Sequence, residues 1–452
     1  MTRTMRHMTG ILTAVALAAV VSSCSDIGIG FETLPGAGAD KEYIPRTGNN
    51  TYRNVFLVYS MGFNNLTGYL KEDIEDIISS PLMSNDRDVL LIFSHLAKRY
   101  PNSSSPKYDE AVSPTLTRIC RGTDGNVIRD TLTVYPDTYS TSDANTLNEV
   151  LTYVRDNFEA DRYGMLMSSH GTGWMPEDYC NHPSRYDNTA GDGGIWMVRR
   201  QTDVTPKPFL DDPGAVAGPA VKSIGVQNIS AGEVTEMDIT DIAAAIPMKM
   251  DYIIFDACFM GGVEVAYEFR KVCDKMVFSQ TEILAEGMDY ETMTSYLYRG
   301  TPDLTGFCEN YFNFYNSRNY NRAATISLID CTSLEPLAMI CREIFETRRG
   351  SIDTLDKSSL QKYYREAYAS NHKWFFDLRD IAVSCGAERR QMIMLDAALE
   401  GCVRYKAATE SFLERKIDTH CGLSMYCPYD DRPYLNNFYK VLEWNKATGL
   451  VE

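Results

Sequence analysis

The sequence has no excess of positive charge: 44 lysines and arginines face 61 aspartates and glutamates, for a net charge of −17. That excludes non-specific nucleic-acid binding, which needs a basic footprint. A second long apolar run is also missing. Beyond residues 11–21, ILTAVALAAVV, no segment is long and apolar enough to span a bilayer. Zinc-like ligand spacing is lacking: Cys180 and His182 in YCNH have no second ligand pair at a metal-binding interval. There is no internal repeat. The twelve cysteines do not imply a disulfide framework. With Cys24 set aside in the leader the remainder is odd, and it is scattered over a chain that can bury its own core. Cys273, Cys331, Cys341 and Cys402 read as small buried apolar side chains.

What is present starts with a leader. Arg3, Arg6 and His7 precede the apolar run, which is of signal-peptide length. The run ends VSSC at residues 21–24, which resembles a bacterial lipobox with Cys24 as the lipidated residue. Ordinary secretory cleavage nearby is the alternative. Both imply export, and the lipobox implies membrane attachment through an N-terminal lipid, on the periplasmic face or the cell surface. Residues 25–50 are rich in Gly, Asn and polar residues and read as a flexible tether.

The remaining length fits one large α/β domain or two domains. Four strands are apolar on both faces: 54–62, 88–95, 163–171 and 252–256. Helical spacing follows the first at Leu66, Leu70, Ile74, Ile77 and Ile78, and recurs in 237–246 and 261–272. Residues 115–135 predict a hairpin turning at 124–126, and Ser142 is the expected N-cap of a helix through Val154. Strand and helix alternation predicts a mostly parallel sheet covered by helices on both sides. Beyond about residue 300 the pattern is mainly helical, over 305–318, 332–348, 357–370 and 388–408. Strand-like pieces at 323–330 and 422–428 interrupt it. Residues 175–232 read as a long loop.

Two of the strands end in reactive groups. One ends Ser168-Ser169-His170-Gly171, the other Asp256-Ala257-Cys258. Open parallel sheets bind ligands beyond the carboxyl ends of their strands. If these strands are neighbours, an imidazole and a thiol share one edge. A thiolate can attack a carbonyl while an imidazolium protonates the leaving amine. A helix amino end just after Cys258 would lower its pKa further. The Gly171 and Cys258 amides are candidates to hold the oxyanion. Each residue alone also fits ordinary packing or a turn; the matched pair is what points to catalysis.

HGTGW (170–174) and FDACFMGGVEVAYE (255–268) resemble the two signature segments of the clostripain family of cysteine peptidases, of the caspase-like clan. Residues 277–290, 324–337 and 422–430 are similar to further family segments. The resemblance implies a caspase-like three-layer α/β/α fold over 51–330, with a mainly helical C-terminal region over 331–452. It implies His170 as general acid and base, Cys258 as nucleophile, and Asp256 in the pocket for the side chain before the cut bond. A carboxylate there suits Arg, or less tightly Lys, so the implied partners are proteins or peptides with basic residues. Self-processing between the dyad residues is a property of the clan, and Arg199 or Arg200 is the expected cut, with Lys207 and Lys222 as competitors. No cofactor is certain, and calcium is possible. Calcium is the one ion the family leaves admissible, through Asp187, Asp192, Asp211 and Asp212, although their spacing matches no calcium loop. Gln227 stands where many relatives have an acidic residue. Two other functions remain open: a surface lipoprotein that binds without turnover, and a transamidase using the same acyl-enzyme.

Overall fold

The computed structural model describes residues 52–80, 85, 87–97, 112–176, 179, 227–230, 233–298, 300–365 and 373–452. The leader, the tether, Cys24, Cys180, His182, the basic residues 199, 200, 207 and 222, and the acidic residues 187, 192, 211 and 212 lie outside the described residues.

The strands in chain order are β1 (Tyr52–Gly62), β2 (Asp88–Leu96), β3 (Thr115–Arg121), β4 (Val127–Val134), β5 (Ala160–Ser168), β6 (Gln227–Ser230) and β7 (Glu233–Thr235). They continue with β8 (Met250–Asp256), β9 (Cys273–Phe278), β10 (Thr325–Asp330), β11 (Phe376–Asp377), β12 (Val403–Ala408), β13 (Ser411–Phe412), β14 (Arg415–Lys416) and β15 (Ser424–Met425). Nine of them form one sheet in the order β12-β10-β9-β8-β5-β1-β2-β3-β4. The centre, from β9 to β2, is parallel throughout, and each flank adds two antiparallel strands. Central strands are buried on both faces, as their unbroken apolar runs require.

Helices cover the sheet in two groups, giving the α/β/α layering. Thr67–Ser79, Tyr290–Leu297 and Leu304–Asn316 contact one another in the first. Ala144–Asn157, Ile239–Ala245, Val263–Phe269, Glu443–Thr448, Glu335–Asp353 and Arg389–Cys402 form a continuous chain of contacts in the second. Ile74, Ile77 and Ile78 lie on the buried stripe of the first helix. Each fully buried apolar side chain of this kind contributes roughly 1.5–3 kcal/mol.

Three expectations change. The N-cap before Val154 is Asp143, not Ser142: the Asp143 carboxylate accepts from Asn145 N–H (2.8 Å) and Thr146 N–H (3.3 Å). The helix expected over 388–408 ends at Cys402, and 403–408 turns into the sheet-edge strand β12 against β10. Val403 and Tyr405 alternate there with exposed Arg404 and Lys406, a period of two rather than 3.6. Residues 357–365 are not helical. Their backbone pairs with the segment before β11, through Tyr363 N–H to Phe375 O (3.0 Å) and Asp377 N–H to Gln361 O (3.0 Å). Helices at Leu378–Ser384 and Pro433–Val441 were not anticipated.

The C-terminal segment docks on the helix that follows β8. Glu264 of that helix is fully buried, and its Oε1 accepts from Tyr426 N–H (2.8 Å) and from the Tyr439 hydroxyl (2.8 Å). Burial pushes the Glu264 carboxyl up to about 7, against the opposing pull of those two donors.

The folded state therefore favours protonated Glu264 over the ionised form by more than the unfolded chain does. The associated stability is complete below pH ~4.5 and is lost as pH rises through about 7. Glu264→Gln removes this loss. Between pH 4.5 and 8 the wild type should lose roughly 3 kcal/mol more than the variant, measured by urea unfolding at each pH. Parallel stability curves for the two proteins would refute the assignment.

Candidate active site

Three strand ends meet at one rim of the sheet. β8 and β5 are parallel neighbours with Asp256 directly opposite Ser168, and β1 lies on the other side of β5 with Ser60 opposite Ser168. Ser169 N–H extends the ladder to Asp256 O at 3.3 Å, and the Ser169 hydroxyl donates to Met61 O at 3.1 Å. His170 and Cys258 each follow two residues after that paired level. The sequence expectation that the two strands are adjacent is met.

The loops carrying them touch directly. A Cβ added to Gly171 would come within 2.3 Å of Cys258 O and 2.7 Å of Cys258 N. Only a residue without a side chain lets these two backbones approach this closely. Gly173, at φ +64°, is the second such point: a Cβ there would meet Phe259 O and the Phe375 ring, each at 2.7 Å. Phe259, the residue after Cys258, is itself left-handed at φ +59°. This conformation costs roughly 1–2 kcal/mol for a residue with a Cβ. Phe259 N–H to Thr281 O (3.0 Å) and a stack on Phe375, with centroids 4.6 Å apart, hold it there.

Ile283, in the segment after β9, contacts the thiol. Ile283 N–H donates to Cys258 Sγ at 3.4 Å, and Ile283 O lies 3.8 Å from Sγ. The following helix begins only at Val263, with Gly262 as its N-cap. A turn and the Gly261-Gly262 pair thus separate Cys258 from the helix amino end, which weakens the expected dipole contribution. Cys258 and His170 are 1% and 3% exposed, so the site is closed in this form.

His170 Nε2 lies 2.5 Å from Asn65 Oδ1, a residue the sequence reading did not single out. Asp256 is fully buried two residues before the thiol. Its carboxylate accepts from Ser168 Oγ at 2.6 Å and from the Tyr290 hydroxyl. Burial and the Asp256 charge raise Tyr290 well above the usual phenol range. Tyr311 is also raised, by burial first and then by the charges of Asp256 and Cys258. Tyr315 donates to Gly287 O at 2.6 Å, and Arg318 stacks on it while pairing with Glu286. None of these tyrosines was expected; VFSQTEILAEGMDY, ending at Tyr290, was the nearest signal.

Behind the loops, Trp174 of HGTGW packs on Tyr426 and Tyr439, each at a centroid distance of 4.9 Å. Those are the two residues that Glu264 holds, so the histidine loop and the helix after Cys258 share one support. Among the described residues no two cysteines form a disulfide. Burial raises the thiols of Cys273 and Cys308, and those of Cys402 and Cys427 to about 12 and about 11. Among the described residues no group of three or more His, Cys, Asp or Glu is placed to hold a metal ion, and no helix is long and apolar enough to cross a membrane.

Comparison with known proteins agrees with this geometry. Among solved structures, an inactive zymogen C11 protease from Parabacteroides distasonis superposes with a TM-score of 0.67 and 26% identity, over 90% of this chain and 99% of that one. Iotapain, a secreted C11 cysteine protease from Bacteroides thetaiotaomicron, gives a TM-score of 0.65 and 25% identity over 88% and 99%. Clostripain from Hathewaya histolytica is 22% identical over 263 residues, which are 54% of this chain and 42% of that protein. The sequence profile of the clostripain family matches residues 58–195 and 217–434, more than half of the chain. The chain belongs to the clostripain family of cysteine peptidases.

Proposed function

We propose that the chain is an endopeptidase that cuts after arginine, and less readily lysine, with Cys258 as nucleophile and His170 as acid and base. The observation that carries this reading is the backbone contact of Gly171 with Cys258 at the rim where β5 and β8 pair. Cys258 Sγ attacks the carbonyl carbon, and the oxyanion gathers between the Gly171 and Cys258 amides. The C–N bond breaks as His170 gives its proton to the leaving amine. His170 then takes a proton from water, which attacks the thioester and releases the acid and the thiol.

Asp256 supplies the preference. It is the last residue of β8, two residues before the nucleophile, at the same strand end as the thiol. Tyr290, whose hydroxyl donates to it, gives it an aromatic neighbour. A carboxylate beside an aromatic ring suits a guanidinium, through paired hydrogen bonds and the ring face. Before cleavage the site is closed, and a cut after Arg199 or Arg200 between the two dyad residues is the step we assign to maturation. Cys24 is the proposed lipid attachment site, and calcium remains an admissible addition rather than a required one.

On arginyl amide substrates, Cys258→Ala and His170→Ala should each lower kcat by at least ~10³-fold. Wild-type rates in Cys258→Ala would end the peptidase reading. Asp256→Asn should lower the ratio of kcat/KM for arginyl over neutral substrates by roughly 10–100-fold. An unchanged ratio would remove Asp256 from the pocket. Mass spectrometry of the protein purified from its host membrane reads maturation: a diacylglyceryl mass on Cys24, and a new N-terminus at residue 200 or 201. Cys258→Ala should keep the lipid and lose the internal cut. An internal cut at the same bond in that variant would show that another protease makes it.

A further inference from the structure

We propose that Asn65 is a positioning residue that fixes the tautomer and orientation of His170; the proposal rests on the peptidase reading above. The sheet order β8-β5-β1 puts three strand ends side by side, and they deliver a thiol, an imidazole and an amide in that sequence. The third was not anticipated, because the loop after β1 carries no reactive group of its own.

The polarity of the contact decides the chemistry. An amide oxygen only accepts, so a ring nitrogen facing it carries hydrogen. Asn65 Oδ1 faces Nε2. The neutral ring is thus held as the Nε2–H tautomer, and Nδ1 becomes the basic nitrogen that exchanges protons with the thiol. A base oriented by a third group is the general design of nucleophile–base pairs.

The loop that carries Asn65 is built to stay still. Asn64 closes it as an Asx turn: its Oδ1 accepts from Leu66 N–H (2.8 Å) and its Nδ2 donates to Met61 O (3.0 Å). Thr67 Oγ1 shares its one hydrogen between Gly62 O and Asn64 O, and accepts from Ala97 N–H (3.2 Å). Leu66 packs with Leu70 and Ala285, which joins the loop to the segment that holds Cys258 Sγ. Met61 O also receives the Ser169 hydroxyl, so the residue before His170 and the turn before Asn65 share one anchor. None of these bonds uses the Asn65 side chain, so changing it leaves the scaffold intact.

The test compares Asn65→Leu, which removes the acceptor, with Asn65→Asp, which keeps it. In matured protein, Asn65→Leu should lower kcat on an arginyl amide by ~10–100-fold with KM unchanged, and slow alkylation of Cys258 by iodoacetamide in parallel. Asn65→Asp should recover kcat to within ~3-fold of wild type. Histidine ¹⁵N shifts of the Cys258→Ala protein read the tautomer directly and need no change at position 65; Nε2–H is expected. Full kcat in Asn65→Leu, loss in Asn65→Asp equal to that in Asn65→Leu, or an Nδ1–H ring overturns the proposal. The peptidase reading fails separately: it falls if Cys258→Ala stays active, whereas normal turnover in Asn65→Leu with a dead Cys258→Ala removes only the role of Asn65.

Discussion

Everything at this site depends on the register of one pair of parallel strands. Ser168 of β5 lies opposite Asp256 of β8, inside the dry centre of a nine-stranded sheet. A slip of one residue would turn every side chain of either strand to the other face. It would separate Ser168 Oγ from Asp256 and move the histidine and cysteine loops off their common level. Both strands are apolar on two faces, so neighbours on both sides and helices above and below hold the register. The site inherits its precision from the most buried part of the molecule.

The turn after β8 shows how that precision is carried to the reacting atom. Left-handed Phe259 is an unfavourable conformation for a residue with a side chain, and it persists because its surroundings over-determine it. Thr281 takes its N–H, Phe375 stacks on its ring, and Gly173 leaves the space its carbonyl fills. Thr281 and Ile283 belong to one short segment, so the bond that fixes the strained residue and the bond that fixes Sγ have a single source. From the other side, Glu264 and Trp174 reach the same two tyrosines, 426 and 439. Histidine loop and nucleophile helix are therefore braced together through the C-terminal segment, which explains why a region distant in sequence belongs to the catalytic unit.

Much of this was legible beforehand, for physical reasons. The stretches VFLVY (55–59) and YIIF (252–255) are apolar at successive positions, the pattern of a strand covered on both faces. Their reactive ends stand out because polar groups break the run abruptly. The hairpin at β3–β4 turns at Gly125, φ +81°, inside the expected DGN. What stayed hidden has no local signal. Asn65 is one polar residue in a polar turn, and its meaning comes from a partner 105 positions away. Tyr290 only closes the family-like segment 277–290 until the fold brings its hydroxyl to Asp256. β12 follows directly on a helix, so its change of period is only six residues long. Local pattern decides element type; it says nothing of which polar side chains a distant strand will meet.

The charge balance around the thiol bears on how readily it ionises. The chain carries a net −17, and an anionic surround opposes forming a thiolate. Yet two acids on the segments that flank the nucleophile are not ordinary carboxylates. Glu264, on the helix that follows it, is pushed up to about 7. Glu282, adjacent to the residue that holds Sγ, is pushed by burial to about 8, with Arg365 only partly offsetting the cost. Near neutral pH both carry protons for much of the time, so the local field at Cys258 is less negative than the formal count implies. The same burial that makes these groups poor anions also removes the water that would screen an imidazolium. A thiolate–imidazolium pair at this rim is then opposed by fewer fixed negative charges than the composition alone would place there, and its partners act at short range without solvent between them.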